Sequence, residues 1–73
     1  MSKVVVLGAG QWGTTMAQVL CDAGNHVLMW GRSQELVDEV NNKHTNSKYL
    51  DENILPVGLK ATTDLREAFE YSN

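Results

Sequence analysis

With 73 residues the chain makes one small domain at most, able to withdraw only about 60 % of its unfolded surface from water. Its 42 % hydrophobic and 21 % charged residues are those of a globular protein rather than a disordered tail, and a net charge of -3 with scattered basic residues argues against a nucleic-acid surface of clustered lysine and arginine. A single cysteine, Cys21, allows no internal disulfide or zinc-type ligand set, and no run approaches the roughly 18 apolar residues of a membrane span or the about 7 of the shortest signal-peptide core, so the chain reads as cytoplasmic with Cys21 in a packing role.

Val4 to Leu7 is apolar without alternation, the pattern of a strand covered on both faces in a parallel sheet. After Gly8, Gly10 and Gly13 the period changes. Trp12, Thr15, Met16, Val19, Leu20 and Ala23 recur at helical spacing and predict an amphipathic helix with these residues on its core side, and Gln11, Thr14, Gln18 and Asp22 opposite. Gly24 and Asn25 stop it, and His26 to Trp30 predicts a second buried strand, completing a right-handed βαβ unit. Met16 and Met29 fit core stripes, whereas His26 and His44 lack acidic partners at suggestive spacing and read as surface or structural residues.

Ser33 is placed to cap a second helix, with Glu35, Asp38 and Glu39 on a solvated face, Leu36, Val37 and Val40 towards the sheet, and Lys43 and His44 near the end. The asparagine-rich text from Asn41 to about Ser47 predicts a loop or frayed helix end. Tyr49-Leu50 and Ile54-Leu55-Pro56 read as packing points in an irregular connection, and Leu59 to Thr62 as a short third strand. Asp64 and Glu67 have the spacing of a capping box, opening a short helix with Leu65, Ala68 and Phe69 on one side.

A Gly-x-Gly-x-x-Gly series that follows a buried strand and opens a helix inside a βαβ unit has the context of a dinucleotide-binding fingerprint. Gly8 permits the tight turn, Gly10 leaves room for a pyrophosphate, and Gly13 lets helix and strand pack closely, while backbone N–H groups at the helix start hold the anion. The fold class is therefore α/β: a Rossmann-type parallel sheet in strand order 3-2-1, the first, adenine-binding half only. Residues 1–73 are expected to form a partial dinucleotide-binding domain, with the remainder and a C-terminal substrate domain absent from this stretch. At the end of the second strand, Trp30-Gly31-Arg32-Ser33 has no acid to accept from a ribose 2'-hydroxyl, while Arg32 can pair with a 2'-phosphate and Ser33 can donate to it. NADP(H) is expected to be favoured, with NAD(H) as the other cofactor. Gln11 can offer donors to the phosphates, and Trp12 is either a core anchor or a wall of the cofactor crevice.

The stretches GAGQWGTTMAQVL, HVLMWGR, NSKYL, ILP and LKATTDL resemble, over nearly the full length, the N-terminal region of bacterial NAD(P)-dependent glycerol-3-phosphate dehydrogenase. Gln11 replaces the family's common Ser, and Asp51 stands where Pro often follows Tyr-Leu; neither change touches a glycine or Arg32. The resemblance implies reduction of dihydroxyacetone phosphate, a triose phosphate, to sn-glycerol 3-phosphate for phospholipid synthesis. It implies cofactor contacts at Gln11, Trp12 and Arg32, with Ser33 and Tyr49 as additions, and it allows a homodimer. The family's catalytic lysine and substrate-phosphate contacts lie beyond Asn73, so no catalytic residue is expected in this stretch. Two other readings are a stand-alone dinucleotide-binding regulatory module without catalysis and another dehydrogenase sharing the first βαβ unit. The YL, LP and ATTDL series speaks against the latter. Without a fourth strand, Val4 to Leu7 would form an exposed apolar edge.

Overall fold

The computed structural model describes residues 2–48 and 54–71. Three strands, β1 (Lys3–Leu7), β2 (His26–Trp30) and β3 (Lys60–Thr62), alternate with three helices, α1 (Gln11–Asp22), α2 (Gln34–Lys43) and α3 (Leu65–Tyr71). All strand pairs are parallel, with β2 between β1 and β3; Val5 lies opposite Leu28, and Met29 opposite Ala61. This is the expected 3-2-1 order, and β1 is an edge strand. Its central valines are only half-buried and Leu7 is exposed, so the two-sided burial expected of Val4 to Leu7 belongs instead to β2, where Val27, Leu28 and Met29 are buried.

The core brings Val27 and Met29 of β2 together with Ala17, Val37, Val40, Leu55, Leu59 and Ala61. Cys21 packs against this cluster, as expected, and burial, with the charge of Asp22 adding to it, pushes its thiol pKa up. Helix α1 stops where the glycine and asparagine predict: Gly24 has φ 98° and donates to the Cys21 carbonyl, while the Asn25 side chain and backbone both donate to that of Leu20.

The inward face of α1 differs from the expected one. Thr14 and Ala17 are fully buried, while Trp12 is 86 % exposed and Met16 and Val19 are exposed as well. Size explains the rotation. The helix begins so close to the end of β1 that only small side chains fit between them, and Trp12, Met16 and Val19 turn outward, while Leu20, expected on the inward face, does pack against the core. In α3, of the three residues expected on one side, Ala68 is buried and Leu65 and Phe69 are exposed. Its N-terminus is half a capping box. Asp64 Oδ1 accepts from the N–H groups of Arg66 and Glu67, but the Glu67 carboxylate accepts from the Thr62 hydroxyl at 2.6 Å, and Thr62 Oγ1 in turn accepts from Asp64 N–H.

The asparagine-rich stretch is the last turn of a helix followed by an irregular segment. Helix α2 continues to Lys43, and His44 caps it in the left-handed region at φ 58°, a structural role as expected for this histidine. Asn41 lies within the helix and lays its amide along the outer edge of β3, donating to the Ala61 carbonyl at 2.9 Å and accepting from the Ala61 N–H at 2.8 Å. One side chain thus completes the hydrogen bonds that a fourth strand would make on that side. Ile54 is exposed and Leu55 buried, whereas Tyr49-Leu50 lies outside the described residues. Replacing Asn41 by alanine leaves a donor and an acceptor of the buried Ala61 unpaired and is expected to destabilise the protein by about 2 kcal/mol. A urea titration of the full chain reads this as a lower midpoint at unchanged slope.

Candidate functional site

The site grows from the end of β1. Gly8 continues the sheet by donating to the Trp30 carbonyl at 2.8 Å, then turns the chain with φ 118°, a conformation that side-chain-bearing residues rarely adopt. Two residues on, Gly10 is the N-cap of α1. A Cβ built on Gly13 would run into the Gly8 carbonyl oxygen, so strand end and helix start touch backbone to backbone. A Cβ on Gly10, by contrast, meets nothing within 4 Å. The Gly10 carbonyl accepts from Thr14 N–H as the first helical bond, and no side chain caps the helix. The N–H groups of Gln11, Trp12 and Gly13 therefore lack intrahelical acceptors, and the positive end of the helix dipole lies at this turn.

A crevice of about 500 Å³ opens beside the turn. Ala9 and Gly10 form one wall, and Arg32 and Ser33, at the end of β2, form the second with the first turns of α2. Ser47 and Lys48 close a third side. The end of β2 is tied to β3 by Gly31 N–H, which donates to the Thr62 carbonyl at 3.0 Å, and it lies close under the turn: a Cβ on Gly31 would be 2.8 Å from that of Ala9, so a glycine is needed there too.

Of the residues singled out in the sequence, Gly10, Arg32 and Ser33 share this crevice, with Gly8 and Gly13 shaping the turn beneath it. Arg32 is exposed. The Ser33 hydroxyl accepts from Leu36 N–H at 3.2 Å, the expected cap. Gln11 and Trp12 are exposed at the helix start and outside the crevice walls, so Trp12 is no core anchor. Tyr49 lies outside the described residues.

Leu36, Glu35, Glu39, Ser47 and Lys48 belong to the crevice but not to the predicted set. Glu39 in particular leaves the solvated face assigned to it. Its carboxylate accepts from the Thr45 hydroxyl at 2.6 Å, the Ser47 N–H at 2.7 Å and the Ser47 hydroxyl at 3.0 Å, clasping the segment after α2. The Thr45 hydroxyl, then the bonds from Ser47 and the nearby charge of Lys43, outweigh its desolvation and hold its carboxyl below the usual range. Spacing alone gives no sign of this clasp, since it closes across a left-handed residue, His44, whose conformation the sequence does not announce. Among the described residues no group of three or more His, Cys, Asp or Glu side chains is placed to hold a metal ion, and no helix is long and apolar enough to cross a membrane.

Parallel strands joined through helices, with a glycine turn at the end of the first strand facing the end of the second, make up the first half of a Rossmann fold. Solved structures agree. The glycerol-3-phosphate dehydrogenase of Coxiella burnetii superposes with a TM-score of 0.86 at 37 % identity, covering 96 % of this chain and 22 % of that one. That of Plasmodium falciparum does so with a TM-score of 0.87 at 34 % identity, covering 97 % and 22 %. The profile of the NAD-dependent glycerol-3-phosphate dehydrogenase N-terminus matches residues 3–73, and the chain belongs to this family. Among curated relatives, the glycerol-3-phosphate dehydrogenase [NAD(P)+] of Streptococcus uberis is 51 % identical over 71 residues, covering 97 % of this chain and 21 % of its own. That of Enterococcus faecalis is 56 % identical over 66 residues, covering 90 % and 19 %. The chain thus spans about a fifth of the length of the relatives it matches.

The lowered Glu39 pKa fixes a pH dependence for the third wall. A carboxyl depressed in the folded state contributes stability that is present above its unfolded value and lost as the pH falls through its folded value. At neutral pH, Glu39→Gln is expected to speed exchange of the Ser47 amide hydrogen, and the difference from wild type is expected to close as the pH drops below the usual carboxylate range. A difference of constant size down to strongly acid pH would show that the clasp does not depend on the charge.

Proposed function

We propose that residues 1–73 form the adenosine and diphosphate half of a nicotinamide-dinucleotide site, in a protein that reduces dihydroxyacetone phosphate to sn-glycerol 3-phosphate. Supporting this most directly is the juxtaposition of the Gly8-Ala9-Gly10 turn with Arg32 and Ser33 across one open crevice. The uncapped N–H groups of α1 supply donors for a diphosphate, and the empty volume where a Gly10 side chain would stand lets it approach the backbone. Gln11 and Trp12 flank the same helix start, where a bound diphosphate would reach their N–H groups. When bound, the nicotinamide supplies the hydride; the residues of this chain bind and orient the other end of the cofactor. No catalytic residue is assigned within this stretch. The free edge of β1 and the exposed apolar residues Leu7, Trp12, Met16 and Val19 suit a partial domain whose sheet continues past β1.

The cofactor choice follows from the end of β2. Arg32 stands at the crevice where an NAD-selecting site carries an acid, and its planar guanidinium matches a 2'-phosphate. Two cations, Arg32 and Lys48, and two acids, Glu35 and Glu39, line the crevice, and of the cations Arg32 is the one at the end of β2. NADPH is therefore expected to bind more tightly than NADH. Arg32→Ala in the full chain removes a charge-assisted bond and should weaken NADPH roughly 10- to 100-fold while changing NADH little. The two dissociation constants, measured by nucleotide fluorescence, check this; an unchanged ratio refutes the role given to Arg32.

A further inference from the structure

Asn46 is wholly buried in the segment after α2, although its amide is polar and its Oδ1 has no partner among the described residues. An apolar side chain of similar size would fill the space without that desolvation cost, so packing alone does not favour asparagine here. What the amide supplies is a pair of donors. Nδ2 donates to the Ala9 carbonyl at 3.1 Å and to the Thr14 hydroxyl at 2.8 Å. The buried Thr14 hydroxyl has two acceptors in reach, the Ala9 carbonyl at 3.2 Å and Met29 Sδ at 3.6 Å, and the carbonyl is the nearer and stronger one for its single proton. Two buried donors thus converge on one carbonyl oxygen in the middle of the glycine turn.

The consequence follows from peptide geometry. No peptide bond in the described chain is cis, and in a trans peptide the C=O and the following N–H point in opposite directions. Drawing the Ala9 carbonyl into the interior turns the Gly10 N–H outward, on the side where Ala9 and Gly10 line the crevice. We propose that Asn46, acting with Thr14, is a positioning residue that fixes the Ala9–Gly10 peptide so that the Gly10 N–H is presented to the diphosphate. The same bonds tie the segment carrying Ser47 and Lys48 to the wall formed by Ala9 and Gly10, joining two sides of the crevice. This role rests on the dinucleotide reading above.

Its test uses the full chain labelled with [15N]glycine, NADPH as the probe, and the variants Asn46→Leu, Thr14→Val and Thr14→Ser. In the wild-type protein NADPH should bind and move the Gly10 amide proton downfield. Asn46→Leu should raise the NADPH dissociation constant about tenfold and diminish that shift, the size expected for losing donors that hold a backbone contact. Thr14→Val should act in the same direction by about threefold, and Thr14→Ser, which keeps the hydroxyl, should restore both readings. If Asn46→Leu does not fold, the valine and serine pair decides the matter alone. Variants that keep wild-type affinity and the full Gly10 shift, or that lose affinity while the shift at saturation stays complete, overturn the positioning role and leave the dinucleotide reading standing. A wild-type protein that binds no NADPH, or binds it without moving Gly10, overturns the reading and this inference together.

Discussion

Everything in this structure is arranged around one backbone contact, the approach of Gly13 in α1 to the carbonyl oxygen of Gly8 at the end of β1. Because a single methyl group at position 13 would overlap that oxygen, the helix can start directly over the strand end only with glycine there. The contact sets the rest of the helix. Thr14 and Ala17, small enough for the narrow space, face the sheet, while Trp12, Met16 and Val19 are carried outward. It also leaves the first-turn N–H groups of α1 uncapped beside the crevice, so an acidic chain can present positive potential without a basic patch.

Around that turn the protein uses side-chain amides where backbone partners are missing. Asn41 completes the edge of β3, Asn25 closes the end of α1, and Asn46 reaches from the segment after α2 to the Ala9 carbonyl. Glu39 clasps the same segment from outside through Thr45 and Ser47. The third wall of the crevice is therefore held by an inner neutral anchor and an outer charged one. The inner anchor is buried and indifferent to salt and pH, whereas the outer one is exposed to both.

The strands and helices were legible because each is announced locally. The valine run, the helical spacing after the glycines, the Gly24-Asn25 stop and the Ser33 cap all lie within a few residues of what they specify. The glycine turn was legible for the same reason, whereas the family was legible from the stretches HVLMWGR, NSKYL, ILP and LKATTDL taken together with GAGQWGTTMAQVL. The rotation of α1 was not. Hydrophobic spacing weighs Trp12 and Met16 above Thr14 and Ala17, but the distance between helix and strand, a tertiary quantity, selects for smallness. The roles of Asn46 and Glu39 were hidden for a different reason. Both depend on contacts across a left-handed His44, so residues that read as a polar loop and a solvated face become parts of the crevice.

The central claim is that backbone N–H groups at the glycine turn hold a diphosphate at close range, and Gly10 allows it to be tested without disturbing the fold. Its φ of -75° suits any residue, and a Cβ there meets no protein atom within 4 Å. Gly10→Val in the full chain should therefore keep the wild-type circular dichroism, with a melting temperature lowered only by the poorer N-cap, while losing NADPH and NADH affinity alike, by about 100-fold or more for a blocked anion contact. A well-folded valine variant that binds either nucleotide as tightly as the wild type would contradict the account.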